Sequence, residues 1–230
     1  MNAAYVFIKP HAVNAKVQAL VKEMLGANGI TVLSEGSLSS EEIDEKLLID
    51  QHYYAIASKA TILKPHELNV PTEKFQKHFG LTWTDALANG NVVNAMDACE
   101  RFGVDSDALD KAWGAAKDAG RLVKFGGGFY CGLVEMEGKE PLYVFNGFFM
   151  SMRSKYTAPG GSIYYYSVEW DKASASWSDF RNNILGPTDP ATAPATSVRG
   201  AILGDWKSLG LASEPNVGDN GVHASASPFE

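Results

Sequence analysis

A strand–helix–strand pattern opens this chain, breaks off between residues 58 and 145, and resumes before the end. "YVFI" at 5–8 reads as a short buried strand stopped by Pro10, and "VNAKVQALVKEMLGANG" at 13–29 reads as an amphipathic helix closed by Asn28-Gly29. Val13, Val17, Leu20, Val21 and Leu25 keep the helical spacing. "ITVLSEGSLS" at 30–39 is then a strand, and "SSEEIDEKLLIDQHYYAIA" opens a second helix with a serine cap and acidic first-turn residues. Past the break come a helix at 148–156, an aromatic strand at 161–170, a helix near 172–184, the loop "GPTDPATAP", and a strand expected from about Ser197. Two such halves make an α+β sandwich of the ferredoxin-like, split β-α-β plan.

The interruption has its own character. An Ala-rich stretch with Gly breaks, expected to be helical, precedes "RLVKFGGGFYCGLVEMEGKEPLYVFNG", which reads as two or three strands turning at Gly126-Gly127-Gly128 and Gly138-Lys139. The expected organisation is a discontinuous domain, 1–57 with 146–230, carrying an inserted helices-then-strands module at 58–145. A loop of the host fold tolerates such an insertion. No helix opens after the glycine triplet and no Lys-Ser/Thr follows it, so it is a hairpin turn and not a phosphate loop. "IKPHAVN" at 8–14 recurs as "LKPHELN" at 63–69, but the flanks differ and the second copy reads as coincidence.

Composition narrows the function classes. A net charge of −7 gives no broad basic surface for nucleic acid, so any polyanionic ligand must be gripped by individual cations. Cys99 and Cys131 form neither a CxxC nor a Cys/His cluster, against a disulfide scaffold or a zinc site. No stretch approaches membrane-span length and the N-terminus lacks a signal-peptide pattern; the expected location is cytoplasmic.

The chemistry-bearing residues lie mostly in the last third: Arg181, Thr188 and Arg199, then "VGDNGVHAS" with His223. Guanidinium forks match phosphoryl oxygens, and a neutral imidazole is a competent nucleophile near neutral pH. Small neighbours (Gly221, Ala224, Ala226) would leave such a nucleophile accessible where bulky ones would block it.

Taken together, "YVFIKPHAV", "QHYY", "GFFMSM", "GPTDP", "SVRG" and "VGDNGVHAS" resemble a nucleoside diphosphate kinase, in that family's order along the chain. The last motif is the most specific. The resemblance implies ping-pong transfer of the γ-phosphoryl of a nucleoside triphosphate to a nucleoside diphosphate, with His223 phosphorylated in between. It implies that Arg181, Thr188 and Arg199 hold phosphates, that Lys9 and Asn220 bind ribose hydroxyls, and that Tyr53 supports Lys9 and the phosphoryl in flight. Phe148 and Val217 would sandwich the base, Ser225 would hydrogen-bond near the imidazole, and Mg²⁺ would ride on the nucleotide's phosphates instead of in a protein cage. A homo-oligomer, hexamer or dimer, is implied as well, and the insertion offers a surface for a protein partner.

The chain departs from the family pattern in four ways. Arg181 stands one residue farther from Thr188 than usual, so either a residue is inserted in that turn or Asn182 takes the arginine's place. The loop before Arg199 lacks the family's Pro-Gly, and the link from Gly200 to Val217 is long. Ala226 stands where an aspartate is usual, and the segment that supplies the histidine-orienting carboxylate is missing; Glu230 is a substitute at the wrong spacing. His11 replaces an acidic residue and has no assigned role, His52 is expected to pack a helix, and His66 and His78 to lie at the surface. The alternative to an active enzyme is a kinase-like scaffold that keeps nucleotide binding.

Overall fold

The computed structural model describes residues 1–228, so the expectation placed on Glu230 lies outside the described residues. The chain divides into two compact units, 1–45 with 156–230, and Lys46–Lys155. Eight strands are formed among the described residues: β1 (Asn2–Ile8), β2 (Thr31–Ser39), β3 (Val92–Asn94), β4 (Leu122–Gly126), β5 (Phe129–Val134), β6 (Leu142–Phe145), β7 (Ser162–Trp170) and β8 (Val222–Ala224).

In the first unit the sheet order is β2-β7-β1-β8, every neighbouring pair antiparallel. Numbered within the unit, the strands run 4-1-3-2, the order of the ferredoxin-like plan. The helix Ala15–Ala27 follows β1 because the sequence marks both its ends. Asn14 caps it, its side-chain oxygen accepting from the Lys16 and Val17 amides, and Gly29 leaves it at φ +72°. Its inward face, Val17, Val21 and Leu25, is fully buried against Val6, Ile8, Val168, Trp170, Ile202 and Val222. Each such side chain contributes about 1.5–3 kcal/mol of burial. Because successive strand residues alternate faces, Phe7 and His223 lie on the opposite side of the sheet from Val6, Ile8 and Val222.

The expected strand from Ser197 is a helix, Val198–Asp205. Ser197 Oγ accepts the Gly200 amide, a cap the strand reading overlooked. The sheet's last strand is Val222–Ala224, which carries His223 itself. Gly200 belongs to the same capped turn: a Cβ there would overlap the Pro194 carbonyl oxygen, with the Pro194 carbonyl carbon 2.7 Å and Ala195 Cα 3.1 Å away. Since the obstacle is main chain, Gly200→Ala should destabilise by about 1–3 kcal/mol or more, read as a lowered midpoint in urea.

The second unit holds the sheet β3-β6-β5-β4, with β3 parallel to β6 and the other pairs antiparallel. β6 is buried on both sides. Leu142 and Val144 join a cluster with Phe102, Leu109 and Trp113, while Tyr143 and Phe145 join one with Phe75, Ala86 and Cys131. Helices at Thr72–Phe79, Trp83–Ala88, Ala95–Phe102 and Ser106–Asp118 precede β4, β5 and β6, as expected, with the three-residue β3 as an addition inside the Ala-rich stretch expected to be helical. The glycine triplet does turn the β4–β5 hairpin. The unit also takes in 46–57 and 146–155. The expected helix over 39–57 breaks at Leu47, which adopts φ +51°, and the short helix Leu48–His52 beyond it packs within the second unit. No helix among the described residues is long and apolar enough to cross a membrane.

Two tyrosines of the first sheet predict alkaline behaviour. Burial, then the neighbouring Tyr165, pushes the Tyr5 phenol from 10.0 up to about 12. Burial likewise raises Tyr166, whose hydroxyl donates to Gln18 O at 2.9 Å. The unfolded chain releases these protons first, so their stabilisation is complete below about pH 10; the part due to Tyr5 disappears as pH rises through about 12, and the part due to Tyr166 at still higher pH. Unfolding midpoints followed over that window, beside tyrosinate absorbance, should fall, and Tyr5→Phe should make the fall shallower.

Candidate active site

His223 is placed by the pairing of β8 with β1. Phe7 is its cross-strand partner, and the two rings stack with centroids 5.0 Å apart at 27°. The pairing is fixed on both sides by main-chain bonds, Lys9 N–H to Gly221 O and Ser225 N–H to Tyr5 O, each 2.9 Å. Ser225 Oγ accepts the Tyr5 amide at 3.0 Å, so the described contact of Ser225 is with the neighbouring strand's backbone. Gly221 is demanded twice over, by φ +86° and by Ile202 Cδ1, which lies 2.8 Å from where a Cβ would stand.

Arg199 reaches this strand from the first turn of the Ser197-capped helix. Its guanidinium donates from Nη2 and Nε to Val222 O, at 2.9 and 3.3 Å, and from Nη1 to Gly186 O at 2.7 Å. The cation therefore lies beside the peptide that joins Val222 to His223. Asn220, two per cent exposed, donates to Thr188 O at 2.8 Å, tying the loop before β8 to the Gly186–Thr188 segment. Its Oδ1 is buried without a hydrogen-bond donor among the described residues. Lys9 Nζ donates to Gly218 O at 3.1 Å. The turn it holds is closed by Asn216, whose side-chain oxygen accepts the Gly218 and Asp219 amides and leaves Val217 exposed at the tip. Lys9, Thr188, Arg199, Val217, Asn220, His223 and Ser225 thus belong to one connected region of the first unit.

Arg181 and Asn182 both stand exposed on the Phe180–Ile184 turn. Asn182 Nδ2 donates to Ser178 Oγ at 3.2 Å, which engages its amide locally. Thr188 is exposed.

Tyr53 and Phe148 belong to the second unit. Tyr53 ends the Leu48–His52 helix and packs against that unit's core, with His52 edge-on at 4.8 Å. Phe148 sits against Trp113 and Tyr130, centroids 6.1 and 5.8 Å away. Three residues passed over in the sequence organise these surroundings. Asp50 and Arg153 form a buried ion pair, Nε to Oδ2 at 2.9 Å and to Oδ1 at 3.1 Å. Asn146, at φ +49°, accepts the Tyr130 amide and donates to Ile56 O and Gly128 O. In the first unit, His11 bonds the Gly221 amide. His66 and His78 are exposed.

No group of three or more His, Cys, Asp or Glu among the described residues is arranged to hold a metal ion.

No protein-family model matches the sequence. No curated protein matches it either. Among solved structures, the chain is similar to the NDP kinase from Pyrobaculum aerophilum, at 16% identity and TM-score 0.39 over 99% of this chain and 90% of that one. It is also similar to the nucleoside diphosphate kinase from Encephalitozoon cuniculi, at 11% identity and TM-score 0.46 over 100% of this chain and 82% of that one.

Proposed function

We propose that this chain transfers the γ-phosphoryl group of a nucleoside triphosphate to a nucleoside diphosphate through a phosphohistidine on His223. The observation that carries the reading is the double hold of Arg199 on Gly186 O and Val222 O, which sets a guanidinium against the carbonyl of the peptide that leads into His223. In the first half-reaction an imidazole nitrogen bonds to the γ-phosphorus as the bond from phosphorus to the β–γ bridging oxygen breaks, and the nucleoside diphosphate leaves. In the second, a terminal β-phosphate oxygen of the acceptor takes the phosphoryl and the N–P bond breaks, restoring the free ring.

Arg199, Thr188 and the cation or amide at 181–182 are assigned to the phosphates. Lys9 and Asn220 are assigned to the ribose, and a hydroxyl donating to the buried Asn220 Oδ1 would remove a cost of about 1–3 kcal/mol for an unmet acceptor. Mg²⁺, bound through the phosphates, would supply neutralisation of their charge. The roles given to Tyr53 and Phe148 rest on the resemblance alone. A stack on Val217 or Phe148 reads a π face, so little discrimination among bases is expected.

The test is incubation with γ-labelled ATP and Mg²⁺. An acid-labile, base-stable phosphoprotein that discharges to GDP as labelled GTP supports the proposal; ATP binding with no adduct overturns it. That second result would favour a nucleotide-binding scaffold, a reading favoured by Phe148, whose ring is already engaged by Trp113 and Tyr130.

A further inference from the structure

The turn that follows β1 and the loop that precedes β8 meet at His11. The Gly221 amide donates to His11 Nε2 at 3.1 Å, which requires a lone pair on that nitrogen. The ring's other nitrogen, Nδ1, faces Asp219 Oδ1 at 3.7 Å. A carboxylate on that side favours the proton on Nδ1, the tautomer that frees Nε2 to accept. His11 lies on the Pro10–Ala12 turn, only three residues past Ile8, and Ile8 pairs with Val222. Gly221 is two residues before His223 and carries the left-handed φ +86° at which the loop enters β8.

We propose that His11 is a positioning residue for His223: its Nδ1-protonated imidazole, steered by Asp219, holds the Gly221 amide and so fixes how β8 presents the His223 ring over Phe7. The assignment of that ring to phosphoryl transfer rests on the function proposed above; the positioning itself is read independently of catalysis. Of the side-chain holds on the loop before β8, Lys9 at Gly218 O and Asn220 on Thr188 O act farther from the strand than His11, which works at Gly221 beside the main-chain bond from Lys9 N–H to Gly221 O.

The experiment uses the full chain with isotope-labelled histidine, and His11→Ala, His11→Gln and His11→Asn. Imidazole nitrogen shifts should show His11 protonated at Nδ1 and unprotonated at Nε2 near neutral pH. In His11→Ala, exchange of the Gly221 amide should quicken about fivefold or more, the worth of a typical net hydrogen bond. The ring-proton shifts of His223, set by its stack on Phe7, should move with it. Glutamine carries an acceptor at the reach of Nε2 and should restore both signals; asparagine, whose polar atoms stop at the δ position, should not. A proton on Nε2 in the wild-type chain, or His11→Ala leaving Gly221 exchange and the His223 shifts unchanged, overturns the proposal. Phosphoenzyme formation is assayed separately: wild-type protein that shows the imidazole and exchange signatures but never takes label would reject the proposed function and leave the positioning role standing.

Discussion

His223→Ala should form no acid-labile phosphoenzyme with γ-labelled ATP, and its phosphoryl transfer to GDP should fall by about a thousandfold or more, the scale of losing a covalent nucleophile. The variant should still fold. The ring is only partly buried, and the pairing of β8 with β1 rests on main-chain bonds at Lys9–Gly221 and Tyr5–Ser225 that an alanine leaves in place. Nucleotide affinity should therefore survive while the chemistry stops. A variant that keeps full transfer would move the nucleophile elsewhere or make transfer direct between nucleotides. Arg199→Ala separates charge from nucleophile: it strips donors from Gly186 O and Val222 O and should both slow phosphorylation and lower stability, because those carbonyls lose their charged partner.

The first unit's plan was legible because its signals are local. Asn14, the spacing of Val17, Val21 and Leu25, and Gly29 mark one helix within a short window, and the aromatic run at 162–170 marks β7. Ser197 misled because a short apolar run after serine suits either a strand start or a helix cap. Only the approach of Gly200 to the Pro194 carbonyl decides between them, and that contact depends on the folded loop. β3 escaped notice for the opposite reason: its pairing partner β6 is distant in sequence, while its neighbours at 83–88 and 95–102 are strongly helical. The candidate site divides in the same way. The types and order of Lys9, Thr188, Arg199, Asn220 and His223 could be read from motifs, whereas the hold of His11 on Gly221 spans 210 positions and has no sequence period.

The buried ion pair of the second unit sets the other large effect. Asp50 is fully buried, Arg153 is eight per cent exposed, and Thr61 Oγ1 donates to the same carboxylate at 2.8 Å. Arg153→Met leaves a charged carboxylate in the interior with the hydroxyl of Thr61 as a described donor, and removal of one member of such a pair costs about 3–5 kcal/mol. Asp50→Leu strands the guanidinium and should cost a similar amount. The double replacement Asp50→Leu with Arg153→Met removes both charges and should recover most of the loss, since desolvation of the two ions offsets much of their attraction. The pair joins the helices Leu48–His52 and Phe149–Thr157, whose ends abut Tyr53 and Phe148, residues that the functional reading assigns to nucleotide contacts. Denaturant unfolding should accordingly show each single variant far below wild type and the double variant near it, with amide exchange in Leu48–His52 rising in the single variants. If the two single losses simply add in the double variant, the ions do not stabilise one another, and the second unit holds these helices by apolar packing around Trp113 and Phe149 instead.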